Sequence, residues 1–133
     1  MISKVFYQGN LRTKCVHEKS GNEFITDAPL DNFGKGEAFS PTDTVATALA
    51  SCMITVMAIK ANQLNIDFKN VSAKVEKIMS SNPRRISEIR VHINLPLNIS
   101  CNEKVLLEIS GDSCPIHNTL NPELIRVVNY NWI

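Results

Sequence analysis

The sequence lacks an excess of charge of either sign. Its 133 residues include 14 Lys and Arg against 13 Asp and Glu, so the formal net charge is +1. The basic residues are spread along the chain rather than gathered in one segment. Proteins that bind nucleic acids or anionic membranes usually carry a basic patch or tail. We therefore expect neither nucleic acid nor a membrane surface among the partners.

A long hydrophobic run is missing as well. The N-terminal residues 1–7 contain no apolar segment of the kind found in signal peptides. The longest nearly apolar stretch, Val45 to Ile59, is shorter than the ~20 residues that span a bilayer, and it carries hydroxyl side chains. A buried core helix is the better interpretation of this stretch. We expect a cytoplasmic protein, in which four cysteines are not automatically a disulfide framework.

The remaining composition is that of a folded globular chain. Apolar residues make up 44% and charged residues 20%, and the length suits one domain. With no repeat and no internal linker, residues 1–133 are predicted to form a single domain. The pattern predicts an α+β fold of order βββ–α–ββ–α–β: short strands within 1–27, a loop over 27–39, a helix over 41–62, a long antiparallel hairpin over 71–95, a helix over 101–110 and a strand over 124–132.

The first predicted helix has a clear start. Ser40 is a favoured N-cap, Pro41 suits the first helical position, and Asp43 completes a capping-box pattern. Apolar residues then cover nearly every face of this helix, which is typical of a helix buried on all sides. Because so small a domain cannot easily surround a helix alone, we predict burial against a partner subunit.

The second predicted helix begins with another capping box, formed by Ser100 and Glu103. Gly111 is expected to mark its end. Three of its apolar residues are expected to face inward: Val105, Leu106 and Ile109.

Two cysteines lie in settings that suit redox chemistry. Cys52 falls in the middle of the first helix, and Cys114, followed by Pro115, comes directly after the second. One thiol can be attacked by an oxidant, and the other can then close a disulfide onto it. The alternatives are an inert core cysteine at Cys52 and a small neighbour of a helix end at Cys114. Cys114 and His117 offer only two metal ligands, so no metal site is predicted.

These segments also carry a family resemblance. A glycine-rich approach over 33–39 is followed by Ser-Pro at 40–41, a small-residue helix that reaches Cys52, and a later Cys-Pro at 114–115. In this order, and over nearly the whole chain, the sequence resembles the OsmC/Ohr family of thiol-dependent peroxidases. The resemblance implies an intertwined homodimer, with the central helices packed between antiparallel sheets. It also implies a peroxidatic Cys52 and a resolving Cys114, a peroxide substrate, a dithiol reductant and no cofactor.

A reactive thiolate at Cys52 would need a cation, because the helix dipole contributes little about three turns into a helix. The resemblance implies an arginine from the N-terminal strands, and Arg12 is the best match. A solvated strand residue is the alternative for Arg12. Arg84 and Arg85, at the turn of the long hairpin, are rival cations.

The acid that would pair with the arginine is where the sequence departs from the family pattern. The family helix begins Pro-Glu, whereas here Thr42 occupies that position and Asp43 follows it. Asp43 is either a cap or the acid, and Glu37 in the preceding loop is the other candidate. The departure keeps two alternatives open: a redox-sensing or small-molecule-binding protein of the same fold, and a structural dimer with inert thiols.

The other two cysteines match no family motif. Cys15 is expected in the core, and Cys101 lies in the first turn of the second helix. Both are interpreted as background.

Overall fold

The computed structural model describes residues 1–133. The elements in chain order are β1 Ser3–Gly9, β2 Arg12–His17, β3 Glu23–Asp27, a 3-10 turn Leu30–Asn32, α1 Pro41–Gln63, β4 Ser72–Ser80, β5 Arg85–Leu95, α2 Cys101–Asp112, α3 Pro115–Thr119 and β6 Ile125–Trp132. The predicted α+β order is confirmed, with the short helix α3 as an addition. The chain divides into two compact units, 1–45 and 46–133, and a single domain stays a prediction.

The first unit contains a three-stranded antiparallel sheet in the order β1-β2-β3. Strands β1 and β2 pair antiparallel, and Gly9, Asn10 and Leu11 all have positive φ at the turn between them. Strand β3 pairs with β2 from Val16 opposite Glu23 to Arg12 opposite Asp27. This last pair brings a cation and a carboxylate to the same end of the sheet.

The loop after β3 folds back on itself around Gly34. The Gly34 N–H donates to the Pro29 carbonyl at 2.9 Å. A side chain at Gly34 would collide with the backbone of Ala28, so only glycine fits this close approach. Phe33 precedes it with φ +65°, a conformation that a bulky residue rarely adopts. Phe33 is 93% exposed in the chain.

The predicted cap of α1 is confirmed. The Ser40 N–H donates to Asp43 Oδ2 at 2.9 Å, and the Asp43 N–H donates to Ser40 Oγ at 3.1 Å. In the chain by itself the helix is not buried all round, because Val45 and Ile59 are exposed. The buried residues are Ala46, Leu49, Ala50, Met53, Met57 and Ala61.

Helix α1 is longer than the apolar stretch that the sequence analysis judged too short to span a bilayer. With 23 residues and a mean hydropathy of 1.6 over its best 18-residue window, α1 meets the length and composition of a membrane span. The core helix of a globular protein meets the same test. Because six residues of α1 lie in the core of the chain, the core-helix interpretation agrees with the structure.

The second unit contains a three-stranded sheet in the order β4-β5-β6. Strands β4 and β5 form the predicted antiparallel hairpin, from Ser72 opposite Asn94 to Ser80 opposite Arg85. Strand β6 runs parallel to β5, whereas only antiparallel pairs were expected. The chain leaves β5 and returns through α2 and α3, and a crossover of this length permits a parallel strand.

Helix α2 has its predicted capping box, but its inward face was predicted wrongly. Val105, Leu106 and Ile109 are all exposed, and Leu107 is buried instead. Gly111 lies inside the helix rather than beyond it, and it is also buried. Leu107 and Gly111 are four residues apart, so they lie on the same helix face. That face joins a core formed mainly by α1 and by β5 residues Ile89, Val91, Ile93 and Leu95.

Candidate functional site: a thiol pair and an arginine–carboxylate cluster

Cys114 is the N-cap of α3, and Pro115 occupies the first helical position. Its sulfur accepts a hydrogen bond from the His117 N–H at 3.3 Å, and the residue is fully buried. Burial raises the pKa of the Cys114 thiol, and the Cys52 thiol adds to this rise, while the His117 N–H opposes it. Cys114 is therefore held as a neutral thiol at neutral pH.

Cys52 lies on α1, as predicted, and is half-buried. Its thiol lies close enough to the Cys114 thiol to contribute to the raised pKa of Cys114. Both residues are free thiols, and Cys52 packs against the core cluster to which Cys114 belongs. The fold of the second unit thus brings together two cysteines that are far apart in the sequence. The arrangement is chemically suited to reversible disulfide formation.

In the first unit, Arg12 is bound by a carboxylate that the sequence analysis missed. Arg12 Nε lies 2.6 Å from Asp27 Oδ1, and Arg12 Nη2 lies 2.8 Å from Asp27 Oδ2. Asp27 is only 1% exposed, so Arg12 is not a solvated strand residue. The hydrogen bond between Arg12 and Asp27 is the main reason that the pKa of Asp27 is lowered and that the pKa of Arg12 is raised. Asp27 could have been found as the cross-strand partner of Arg12.

Glu37 joins the same cluster as a second acid. Its Oε2 accepts from Arg12 Nη2 at 3.1 Å, and its N–H donates to Asp27 Oδ2 at 3.1 Å. Glu37 is exposed, whereas Asp27 is buried. We name Arg12, Asp27 and Glu37 the arginine cluster. Arg12 and Glu37 are thus brought together as the sequence suggested, with Asp27 as the closer partner.

Asp43 serves as the cap of α1 through its contacts with Ser40. It also borders a broad, mostly apolar pocket of about 720 Å³ on the first unit. The pocket is lined by Phe24, Ile25, Gly36, Glu37, Ala38, Phe39 and Asp43. Glu37 therefore belongs both to the arginine cluster and to the wall of this pocket.

The rival cations and the remaining cysteines lie in more exposed positions. Arg84 and Arg85 are both exposed, and Arg85 Nη1 lies 3.5 Å from Glu123 Oε2. Cys101 is exposed at the first residue of α2. Cys15 is half-buried on β2 rather than in the core. No group of three His, Cys, Asp or Glu side chains is arranged to hold a metal ion.

The family model of the OsmC-like proteins matches residues 34–127. The chain belongs to the OsmC-like family. This OsmC-like protein is similar to the crystal structure of a candidate osmotic stress induced and detoxification response protein from Psychrobacter arcticus 273-4. The two chains are 44% identical with a TM-score of 0.94, covering 98% of this chain and 95% of the other.

Two more distant structures share the fold. An organic hydroperoxide resistance protein OsmC from Legionella pneumophila is 19% identical, with a TM-score of 0.77, over 98% of this chain and 95% of the other. An organic hydroperoxide resistance protein from Elizabethkingia anophelis is 17% identical, with a TM-score of 0.74, over 100% and 97%. The comparison with the curated proteins returns no match.

Proposed function

We propose that this OsmC-like protein is a thiol-dependent peroxidase that reduces organic or small hydroperoxides. The observation that supports the proposal is the proximity of the Cys52 and Cys114 thiols in the second unit, where Cys52 packs against the core cluster that contains Cys114. Membership of the OsmC-like family and the fold shared with organic hydroperoxide resistance proteins agree with it. No organic cofactor or metal takes part in the proposed reaction.

In the first step Cys52 acts as the nucleophile. Its thiolate attacks the distal oxygen of the hydroperoxide, the O–O bond breaks, and the alkoxide takes a proton and leaves as an alcohol. Cys52 becomes a sulfenic acid, the first stage of thiol oxidation. Cys52 suits this role better than Cys114, because Cys52 is half-buried and Cys114 is fully buried.

In the second step Cys114 resolves the sulfenic acid. Its sulfur attacks the Cys52 sulfur, an S–S bond forms, and the hydroxyl group leaves as water with the Cys114 proton. The partial burial of Cys52 and the full burial of Cys114 limit the access of a second peroxide molecule. A dithiol reductant of the cytoplasm would then reopen the disulfide by exchange.

Arg12 is the proposed cation of the site. Its Nε and Nη2 atoms bind Asp27 and Glu37, which leaves Nη1 as the guanidinium nitrogen outside these contacts. Asp27 and Glu37 would hold the guanidinium in a fixed orientation, and its proposed part is to favour the thiolate and stabilise the charge on the leaving oxygen. Asp43 has a smaller proposed part, as the cap that fixes the start of the helix carrying Cys52.

A second function is favoured by the same cluster. Two carboxylates already bind Arg12, so less of its positive charge is available to a thiolate. This supports a redox-sensing or small-molecule-binding protein whose thiol pair responds to electrophiles without rapid turnover. In this function the apolar pocket beside Glu37 would be the binding surface.

Peroxide consumption separates the two functions. The purified protein is supplied with a dithiol and with hydrogen peroxide, cumene hydroperoxide or a fatty-acid hydroperoxide in turn. We expect catalytic consumption of at least one of them and none by Cys52→Ser. Stoichiometric oxidation of the thiol pair without turnover on any substrate would reject the peroxidase and favour the sensor.

We further propose that the functional unit is a homodimer. Several large apolar side chains are exposed in the single chain, among them Phe33, Ile59, Val105 and Ile109. A chain in water rarely leaves so many such residues uncovered, and extended apolar surfaces usually mark interfaces.

A further inference from the structure

The C-terminal turn of α2 is held by a hydrogen bond from the half-buried Tyr130 of β6. The Tyr130 hydroxyl donates to Asp112 Oδ1 at 2.7 Å, and it also lies 3.3 Å from the Glu108 carbonyl oxygen. A phenol that donates to a carboxylate makes a stronger bond than one that donates to a neutral group. Asp112 is the last residue of α2, two positions before Cys114.

Gly111 shows how closely the elements meet at this turn. A Cβ atom placed on Gly111 would lie 2.9 Å from the Tyr130 hydroxyl and 3.1 Å from Met57 Sδ. Met57 follows Cys52 on α1 by five residues. The end of α2, strand β6 and the helix that carries Cys52 therefore converge at Gly111.

The same turn determines the position of Cys114. The Cys114 N–H donates to the Gly111 carbonyl at 3.3 Å. Burial raises the pKa of Tyr130, and the hydrogen bond with Asp112 adds to the rise.

We propose that Tyr130 and Asp112 are positioning residues for the Cys52–Cys114 disulfide. Their hydrogen bond holds the end of α2 so that the Cys114 sulfur remains close to the Cys52 sulfur. Holding two reacting groups in place raises the effective concentration of one toward the other. The inference rests on the proposed redox role of the thiol pair, but it does not require a peroxide as the oxidant.

Equilibration with glutathione tests this geometry without a peroxide. Cys52 thiolate attacks oxidised glutathione and releases one glutathione thiol, and Cys114 then displaces the second. Two electrons and two protons pass from the two cysteines to one molecule of oxidised glutathione, which becomes two molecules of reduced glutathione. Alkylation and mass spectrometry measure the fraction of Cys52–Cys114 disulfide over a series of ratios of reduced to oxidised glutathione. This fraction gives the effective concentration of the Cys114 thiol toward Cys52.

Three variants distinguish a positioning role from general support of the fold. Tyr130→Phe removes the hydroxyl and Asp112→Ala removes the acceptor, and each should lower the effective concentration about tenfold, as the loss of one charge-assisted hydrogen bond predicts. Asp112→Asn keeps an acceptor oxygen but loses the charge, so its effective concentration should be intermediate, about threefold below the wild type. Asp112 is exposed, so its two substitutions leave the core packing unchanged, and Tyr130→Phe keeps the ring that packs against the core.

Trp132→Phe is the matched control. Trp132 lies on the same strand, and its Nε1–H donates to Glu108 Oε1 at 2.7 Å, one turn before Asp112. This variant loses a bond between β6 and α2 but keeps the turn before Cys114. Its effective concentration should remain close to that of the wild type, even where thermal unfolding shows lower stability. Equal shifts in Tyr130→Phe and Trp132→Phe, or no shift in Tyr130→Phe and Asp112→Ala, would overturn the proposal.

The outcome also separates this inference from the proposed peroxidase. If the variants shift the glutathione equilibrium as expected while the wild type consumes no peroxide, the positioning role stands and the peroxidase fails. If the wild type forms no Cys52–Cys114 disulfide at any glutathione ratio, the positioning role is rejected.

Discussion

At the scale of single residues, chemistry depends on whether a reactive group is buried and what lies beside it. Cys52 and Cys101 are the same amino acid, but only Cys52 has a second thiol as a neighbour. Arg12 and Arg85 are both strand arginines. Arg12 is bound in two contacts by a nearly inaccessible carboxylate, and Arg85 makes an exposed ion pair.

The two thiols should have different roles in the reaction. We expect Cys52→Ser to abolish peroxide reduction, and Cys114→Ser to reduce about one equivalent and then stop as a sulfenic or overoxidised Cys52. Rapid-mixing measurement of peroxide loss, with mass spectrometry of the products, checks both. Cys101→Ser, which changes an exposed cysteine, is the control and should match the wild type. Single-turnover rates that are equal in wild type and Cys52→Ser would reject the assignment.

The activating role of Arg12 can be tested through the reactivity of Cys52. Arg12→Ala should shift the alkylation of Cys52 to higher pH, because a nearby cation favours the thiolate. The pH dependence of iodoacetamide labelling at Cys52 measures the shift. Arg84→Ala and Arg85→Ala are the controls for the rival cations. If only one of these controls shifts the profile, the cation comes from the hairpin; if none of the three does, the sensor function is favoured.

The Arg12–Asp27 pair should also affect stability at low pH. Arg12 lowers the pKa of Asp27 in the folded state, so the pair stabilises the fold above the ordinary Asp pKa of about 3.9. This stability is lost as the pH falls through the lower, folded-state pKa. We expect Asp27→Asn to have a lower free energy of unfolding than the wild type near neutral pH. As the pH falls, the free energy of unfolding of the variant should decrease less than that of the wild type. Urea unfolding between about pH 2 and pH 7 measures it, and parallel curves for the two proteins would contradict this account.

At the scale of elements, the positions of the helix ends place the functional groups. Both capping boxes are visible in the sequence, and both fix helix starts in the structure. The end of α2 is set differently, because Gly111 continues the helix and serves close packing instead of ending it. Because Gly111 has no side chain, Tyr130 and Met57 can approach this turn closely.

Gly111→Ala tests this packing. The added methyl would lie 2.9 Å from the Tyr130 hydroxyl and 3.1 Å from Met57 Sδ, closer than van der Waals contact, so its neighbours must shift to accept it. Overpacking of this kind lowers the free energy of unfolding by about 1–3 kcal/mol, although alanine favours helices more than glycine. Urea unfolding measures the change, with the exposed Asn102→Ala on the same helix as the control. A higher free energy of unfolding for Gly111→Ala than for the wild type would show that the turn accepts a methyl group without strain, and would contradict this account.

At the scale of the whole molecule, the single chain leaves many large apolar side chains exposed to solvent. Val105 and Ile109 lie four residues apart on α2 and are 53% and 60% exposed. Ile59 is exposed on α1 as well. These positions were predicted to be buried, and a second copy of the chain would bury such residues without any change in the fold.

We therefore expect a dimer at micromolar concentration in analytical ultracentrifugation. Ile109→Lys should shift the population toward monomer or unfolded chain if α2 contributes to the interface, because an interface core excludes unpaired charge. Lys19→Glu, a charge change at an exposed turn residue, is the control. A well-folded wild-type monomer would contradict the homodimer.

The sequence by itself determined what depends on neighbours along the chain. Alternation of polar and apolar residues predicted the hairpin of β4 and β5, and the capping patterns at Ser40 and Ser100 predicted both long helices. The order of the motifs around Cys52 and Cys114 indicated the family. Local patterns carry these signals because a cap or a strand period involves residues only a few positions apart.

Only the tertiary structure decided which distant residues meet. Asp27 meets Arg12 because the register of β2 and β3 places the two residues opposite each other. Tyr130 reaches the turn before Cys114 because β6, which follows α2 and α3 in the chain, pairs in parallel with β5. The inward face of α2 was mispredicted because three apolar residues outnumber Leu107 and Gly111 on the helix, yet the latter two contact the core. Periodicity counts apolar residues, whereas packing selects the face that fits its neighbours most closely.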